Sequence, residues 1–204
     1  MKVAVLGGTG AFGSALARRL VDAGLDVTIG SRDPGRAAAT AAEVGARGLV
    51  NADAVAGVDL VVLSVEAAAA PSTAAQLADA IGETPVLSVA SELRFEQRSA
   101  LPAGDPLSLA ERTQQVLRGP VLAGLHSLAA STLAGGKAEG DALVCGDDET
   151  AKAAALELAA TLVTGRALDA GSLASARALE GMTAVIVNLN RRYRGRAGLQ
   201  IVGL

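Results

Sequence analysis

Aromatic side chains are almost missing: Phe12, Phe95 and Tyr193 are the only three in 204 residues, and there is no tryptophan. Proteins that bind single-stranded nucleic acid stack bases on aromatic platforms, and this chain has too few of them. It also lacks the basic surface that a duplex needs, since its formal net charge is -3 at pH 7. Cys145 is the only cysteine, which excludes an intrachain disulfide and a cysteine-rich metal site. His126 is the only histidine, so a histidine relay cannot be assembled, and the spacing shows no metal-ligand set. No run reaches the roughly 18 uninterrupted apolar residues of a membrane span. The opening Met1-Lys2 passes through Val3, Val5 and Leu6 into a glycine loop. It has neither the apolar run nor the cleavage site of a signal peptide, so a cytoplasmic protein is expected. Linkers, repeats and low-complexity segments are absent as well.

What the chain has in quantity is small apolar residues. Half of it is hydrophobic, mostly alanine, valine and leucine, and these with glycine suit close packing of helices on a sheet. A chain of this length buries roughly 70% of its unfolded surface, enough for a sizeable core. Short β-branched runs alternate with longer alanine-rich stretches, the pattern of a parallel sheet with helical crossovers. Strands are predicted at Lys2–Leu6, Asp26–Ile29, Asp59–Val65, Pro85–Val89, Val121–Leu125, Asp141–Cys145 and Arg166–Asp169, with a weaker one near Gly48–Val50. Val61, Val62 and Leu63 are apolar on both faces, as a strand covered on each side requires. Helices are predicted at Ala11–Ala23, Arg36–Val44, Ser72–Ala80, Leu107–Leu117, Glu149–Val163 and Ser172–Arg192. Gly24, Gly82 and Gly165 stand where a left-handed helix C-cap favours glycine. Arg94–Asp105 and Leu133–Gly140 read as loops. The expected fold class is α/β: a Rossmann-type, doubly wound, mostly parallel sheet with a C-terminal helical extension. Residues 1–170 form the nucleotide-binding part and 171–204 a helix and tail. Leu173, Ala176, Leu179, Met182, Val185, Ile186 and Leu189 give the last helix a broad apolar face, for closing the core or meeting a second subunit.

Gly8-Thr9-Gly10-Ala11-Phe12-Gly13 is a G-x-G-x-x-G placed directly after a strand and opening a helix, which is the dinucleotide-binding context. Gly8 would permit the tight turn, Gly10 the approach of a pyrophosphate, and Gly13 close packing of the helix. The helix N-terminus then offers unpaired N–H groups and partial positive charge to the phosphates. An NAD site usually carries an acidic residue about twenty positions on, at the end of the second strand. Here the chain reads Ile29-Gly30-Ser31-Arg32, with Arg36 one turn later. Serine and two arginines suit a 2′-phosphate, so NADP(H) is the expected cofactor. Asp33 is expected to cap the following helix rather than meet the ribose.

KVAVLGGTGAFGSALARRL, TIGSR, GLHSLAA, ALVCGDDE, LDAGSLASARALE and the ending GLQIVGL together resemble the NADPH-dependent reductases of the 8-hydroxy-5-deazaflavin cofactor, coenzyme F-420. The resemblance runs the full length. It implies a Rossmann domain with a small C-terminal part, usually a homodimer, that passes a hydride between carbon 4 of nicotinamide and carbon 5 of the deazaflavin. By position, Thr9, Ser31, Arg32 and Arg36 match the residues that hold the 2′-phosphate. His126 matches a histidine beside the deazaflavin, and Leu199–Leu204 a segment lining the same pocket. Two segments depart from the family pattern. Ser64-Val65-Glu66-Ala67-Ala68 replaces an isoleucine-proline-aromatic stretch beside the nicotinamide, and Ser88-Val89-Ala90-Ser91-Glu92 replaces a proline-containing turn. Glu66 and Glu92 would bring negative charge there. The alternatives are an NADPH-dependent reductase of a flavin or a small carbonyl compound, and a non-catalytic NADP(H)-binding redox sensor. The pocket expected for the reacting rings comprises Ser64, Val65, Ala90, His126 and Leu204.

The other conspicuous residues have plainer readings. Asp147 and Asp148 precede a helix and are expected to cap it rather than form a catalytic pair. Cys145 is expected as a small buried hydrophobe. Arg191, Arg192, Arg194 and Arg196 follow an apolar helix, where cations offset its dipole.

Overall fold

A computed structural model describes all 204 residues. Its elements run β1 (Lys2–Leu6), α1 (Ala11–Asp22), β2 (Asp26–Ser31), α2 (Pro34–Val44), β3 (Arg47–Val50), α3 (Asn51–Ala54), β4 (Leu60–Leu63), α4 (Ala70–Ile81), β5 (Val86–Ser88), β6 (Leu93–Glu96), β7 (Ser99–Pro102), α5 (Leu109–Gln114), β8 (Val121–Gly124), α6 (Ala130–Gly135), β9 (Ala142–Gly146), α7 (Glu149–Leu162), β10 (Ala167–Asp169) and α8 (Ala176–Tyr193). Eight strands form one sheet in the order β10-β9-β8-β5-β4-β1-β2-β3. Every neighbouring pair is parallel except β8 and β9. The chain reverses direction across the sheet between β1 and β4, and open α/β sheets bind ligands at such a switch point.

Alternation along each strand divides the core in two. Val3, Val5, Val27, Ile29, Val62 and Leu122 meet Leu16 and Leu20 of α1, Ala41 and Val44 of α2, and Leu158 and Leu162 of α7. Ala4, Leu6, Val61, Leu63, Val121 and Cys145 face the other way, against Ala70, Ala74 and Ile81 of α4, Leu109 of α5, and Ala176 and Leu179 of α8. Burial of both Val61 and Val62 follows directly, since successive strand residues point to opposite, covered faces.

Four expectations are corrected. The segment Arg94–Asp105 is not irregular: Leu93–Glu96 and Ser99–Pro102 pair as an antiparallel hairpin whose turn residues, Gln97 and Arg98, have φ of 43° and 79°. No glycine or asparagine marks that turn. Leu133–Gly140 contains the end of α6, a helix concealed by Gly135-Gly136. Gly24 and Gly82 take positive φ, but Gly82, at ψ −123°, is not a left-handed helical cap; Gly165 has no positive φ, and Gly45 closes α2 in the left-handed region instead. Gly165 is needed for space, because a Cβ there would stand 2.4 Å from Asp141 Oδ1. Finally, the apolar face of the last helix is only partly used: Leu179 and Ile186 are buried, but Val185 and Leu189 are exposed.

Candidate functional site

The carboxyl ends of β1, β2, β4, β5 and β8 share one edge, and all of the expected site residues except Leu204 follow these strands. Turning out of β1, Gly7 takes φ 80°, and a Cβ there would stand 2.4 Å from the carbonyl oxygen of Ser64. The left-handed turn residue is therefore Gly7, which the motif spacing did not single out, and not Gly8. Gly8 is required by packing, since its Cβ would meet the Ile29 side chain at 2.8 Å. Gly13 is required where α1 crosses the loop, 2.4 Å from the Gly7 oxygen on the same test. Gly10 differs: it is exposed, and an added Cβ would meet only the Gly7 oxygen, at 3.3 Å. The space above it is open. Gly10 caps α1 without a side-chain partner, and the N–H groups of Ala11, Phe12 and Gly13 find no acceptor in the chain. Three aligned, unpaired donors at a helix N-terminus fit a pyrophosphate. Thr9 and Phe12 are half-buried on the same loop.

At the end of β2, Ser31 is buried and its Oγ accepts from the Asp33 N–H at 3.2 Å. Asp33 caps α2, its Oδ1 accepting from the Arg36 N–H at 3.1 Å. The one carboxylate near the ribose position is thereby committed to the helix. Arg32 and Arg36 are exposed and make no ion pair within the chain. Two unneutralised guanidinium groups and a hydroxyl here fit a 2′-phosphate.

Further along the edge, Leu63 pairs with Ser88, so the half-buried Ser64-Val65 and Val89-Ala90 segments emerge side by side. Glu66 is exposed and without a partner, whereas Glu92 is neutralised by Arg112 at 2.5 Å. Only one of the two acids thus adds free charge. His126 follows β8 and is 5% exposed, with neither ring nitrogen hydrogen-bonded. Burial holds its pKa down, from 6.5 to about 4, and the neighbouring Ala90 main chain offsets part of that effect. The ring is therefore neutral at physiological pH. Helix α8 lies over it: Leu179 and Met182 line the narrow cleft at His126 and Ser127. Thr183 Oγ1 donates to the His126 carbonyl at 2.9 Å and lies 2.7 Å from Ser91 Oγ, tying α8 to the ends of β8 and β5.

Leu204 is not beside His126 in that cleft. Its side chain is 85% exposed. Adjoining Ser127, however, is a separate cavity of about 300 Å³, walled by Ser127–Ala129, Thr132, Gly135–Glu139 and Arg196–Gly198. The start of the C-terminal tail thus shares a cavity with the end of β8, and Ser127 belongs to both spaces. Neither Ser127 nor this cavity was identified from the sequence.

The acidic motifs resolve into joints. Asp148 caps α7 through the Ala151 N–H at 2.8 Å, as expected, while Asp147 accepts from the Leu173 N–H at 2.9 Å. Glu180 is 2% exposed and accepts from the N–H groups of Leu109 and Ala110, at 3.1 and 3.2 Å. Burial raises its pKa, and the two donors oppose that shift. Arg177 donates to the Ala103 carbonyl. Cys145 is buried, and burial lifts its pKa to about 11, so it is no nucleophile.

The sheet order, glycine loop and unpaired arginines define a Rossmann-type dinucleotide-binding protein of the NADP(H) kind. A family model described as NADP oxidoreductase, coenzyme F-420-dependent, matches residues 2–92. The F-420-dependent NADP reductase of Methanothermobacter thermautotrophicus is 35% identical, over 100% of this chain and 96% of its own. That of Methanocaldococcus jannaschii is 32% identical, covering 100% and 99%. A crystal structure of a putative F-420-dependent NADP reductase from an Arthrobacter species superposes with a TM-score of 0.85 at 28% identity, covering 100% of both chains. This chain belongs to the family of F-420-dependent NADP oxidoreductases.

Proposed function

We propose that the protein passes a hydride between NADP(H) and the deazaflavin coenzyme F-420. The observation that carries this reading is the end-to-end match to reductases named for that reaction, at 35% identity. The geometry agrees with it. When both are bound, NADPH supplies a hydride from nicotinamide carbon 4 and the deazaflavin receives it at carbon 5. The chain's own work is to align and to dry. Gly10 and the α1 N-terminus hold the pyrophosphate, and Ser31, Arg32 and Arg36 with Thr9 hold the 2′-phosphate. Ser64, Val65 and Ala90 bound the nicotinamide end. His126 is neutral, so it acts as a hydrogen-bond partner for a ring atom and not as an acid. For transfer, the reacting carbons must be held at roughly 3–3.5 Å.

The acceptor enters, in this reading, between the end of β8 and the C-terminal tail, where the 300 Å³ cavity lies. Residues 171–204 act as the part that closes the acceptor site. A homodimer also belongs to the proposal, because Val185 and Leu189 are 56% and 39% exposed on one stripe of α8. We place the reaction in the cytoplasm, where NADPH is held; no helix is long and apolar enough to cross a membrane. Turnover of NADPH with F-420, flavin and small carbonyl acceptors tests the reading. Loss of the deazaflavin's visible absorbance is expected with F-420, and exclusive reduction of another acceptor would refute it.

A further inference from the structure

The C-terminal tail is held in an unusual way: by its backbone, with Leu199 and Ile201 half-buried and Val202 and Leu204 left out. Asp141 stands at the start of β9, which runs antiparallel to β8 and so begins at the same edge where β8 ends. Its side chain is 4% exposed. Asp141 Oδ1 accepts from the Arg166 N–H at 2.7 Å, and Oδ2 accepts from the Ile201 N–H at 2.8 Å. The Asp141 N–H donates to the Leu199 carbonyl at 2.6 Å. Arg166 completes the clasp, donating to Asp141 Oδ2 at 3.3 Å, to the Ile201 carbonyl at 2.5 Å and to the Leu204 oxygen at 3.0 Å. Two donors from the backbone and the guanidinium hold the Asp141 pKa down.

The fit leaves no room for a side chain at Gly140 or Gly198. A Cβ on Gly140 would stand 2.1 Å from the Leu199 oxygen, and one on Gly198 2.5 Å from the Glu139 oxygen. Meanwhile Val202 and Leu204 are 87% and 85% exposed. An apolar tail that packed for its own stability would bury those side chains. Here polar bonds to the main chain fix the tail's path, and Val202 and Leu204 are presented outward.

We infer that Asp141 and Arg166 are positioning residues, which set the tail at the height where its apolar side chains meet the acceptor ring. The inference rests on the proposed function, since it takes the acceptor to lie beside the tail. Neither residue touches a reacting atom. Their effect passes through Ile201 and the residues after it, and it concerns the acceptor only; the NADP(H) cradle is at the other end of the edge.

Arg166→Ala is the test, because a side chain 42% exposed can be removed without opening the core. Hydrogen exchange of the Ile201 and Asp141 amides, the two that the clasp protects, should accelerate at least tenfold. KM for F-420 should rise roughly tenfold or more, as expected for lost charge-assisted bonds, while Kd for NADPH stays within twofold. Arg166→Lys should recover part of the KM. Deleting residues 202–204 should raise KM similarly and add little in the Arg166→Ala background, since both changes remove one device. Unchanged exchange would show that there is no clasp. Faster exchange with unchanged KM would show that tail position does not serve the acceptor. If the unmodified protein failed to reduce F-420 at all, the functional reading would fall, and exchange would still report on the clasp itself.

Discussion

His126 gives the sharpest physical prediction, because it is the only histidine and its ring signals in an NMR spectrum need no assignment. The perturbation is acidification. Burial lowers the pKa from 6.5 in the unfolded chain to about 4 in the folded one. A folded value below the unfolded value means that the fold favours the neutral ring. The stability this contributes is fully present above pH 6.5 and is lost as pH falls toward 4. That lowering corresponds to about 3 kcal/mol over the whole window, of which about 2 kcal/mol falls between pH 7 and pH 5. Urea unfolding of the wild type and of His126→Phe at those two pH values isolates the effect, because other titrating groups cancel in the difference. The wild type should lose about 2 kcal/mol more than the variant. In the native spectrum the ring should remain neutral down to pH 5, and kcat should show no inflection near 6.5. A native ring that titrates near 6.5 would show that burial does not hold it neutral and would restore His126 as a candidate acid.

Three other outcomes follow from the geometry. Arg32→Ala should weaken NADPH by about 10- to 100-fold, the loss of a charged hydrogen bond, and leave NADH binding nearly unchanged; equal losses in titrations with both nucleotides would show that Arg32 supports the fold instead. Gly10→Ala should keep near-normal stability and lose NADPH affinity, since the space above Gly10 is open, whereas Gly13→Ala should also lower the unfolding free energy by about 1–3 kcal/mol through overpacking. Thermal melts and nucleotide titrations of the pair would separate the two, and identical behaviour would contradict the assigned roles. Val185→Asp with Leu189→Asp should yield a folded monomer in light scattering, whereas Ile186→Glu, at a position 8% exposed, should unfold the chain by burying a charge; a monomeric wild type would remove the dimer.

Most of the sheet was legible because parallel strands buried on both faces leave short apolar runs such as Val61-Val62-Leu63, and their helices end at Gly24 and Gly82. The candidate NADP(H) cradle was legible for a related reason: a strand, a glycine loop and Ser31-Arg32 follow one another within a single βαβ unit. What could not be read depends on contacts between distant segments. Glu180 looks like a solvated residue of α8, yet it caps α5 seventy residues earlier. Asp147 and Arg177 likewise join separate parts: Asp147 binds Leu173 just before α8, and Arg177 ties α8 to the residue after β7. Gly7 was passed over because the spacing rule starts at Gly8, although Gly7 carries the positive φ. The β6–β7 hairpin turns on Gln97-Arg98, which carry no turn signal. One local signal was available and unused: Ser108 and Glu111 form a capping box, which starts α5 later than hydrophobic periodicity implied.

Direct hydride transfer between NADP(H) and F-420 leaves an isotopic signature. NADPH carrying deuterium at carbon 4, on the face the enzyme uses, is incubated with F-420 and the protein in ordinary water, and the reduced deazaflavin is analysed by mass spectrometry and NMR. One deuterium is expected at carbon 5 of the deazaflavin and none in the solvent. Deuterium appearing in the water, with protium at carbon 5, would contradict direct transfer.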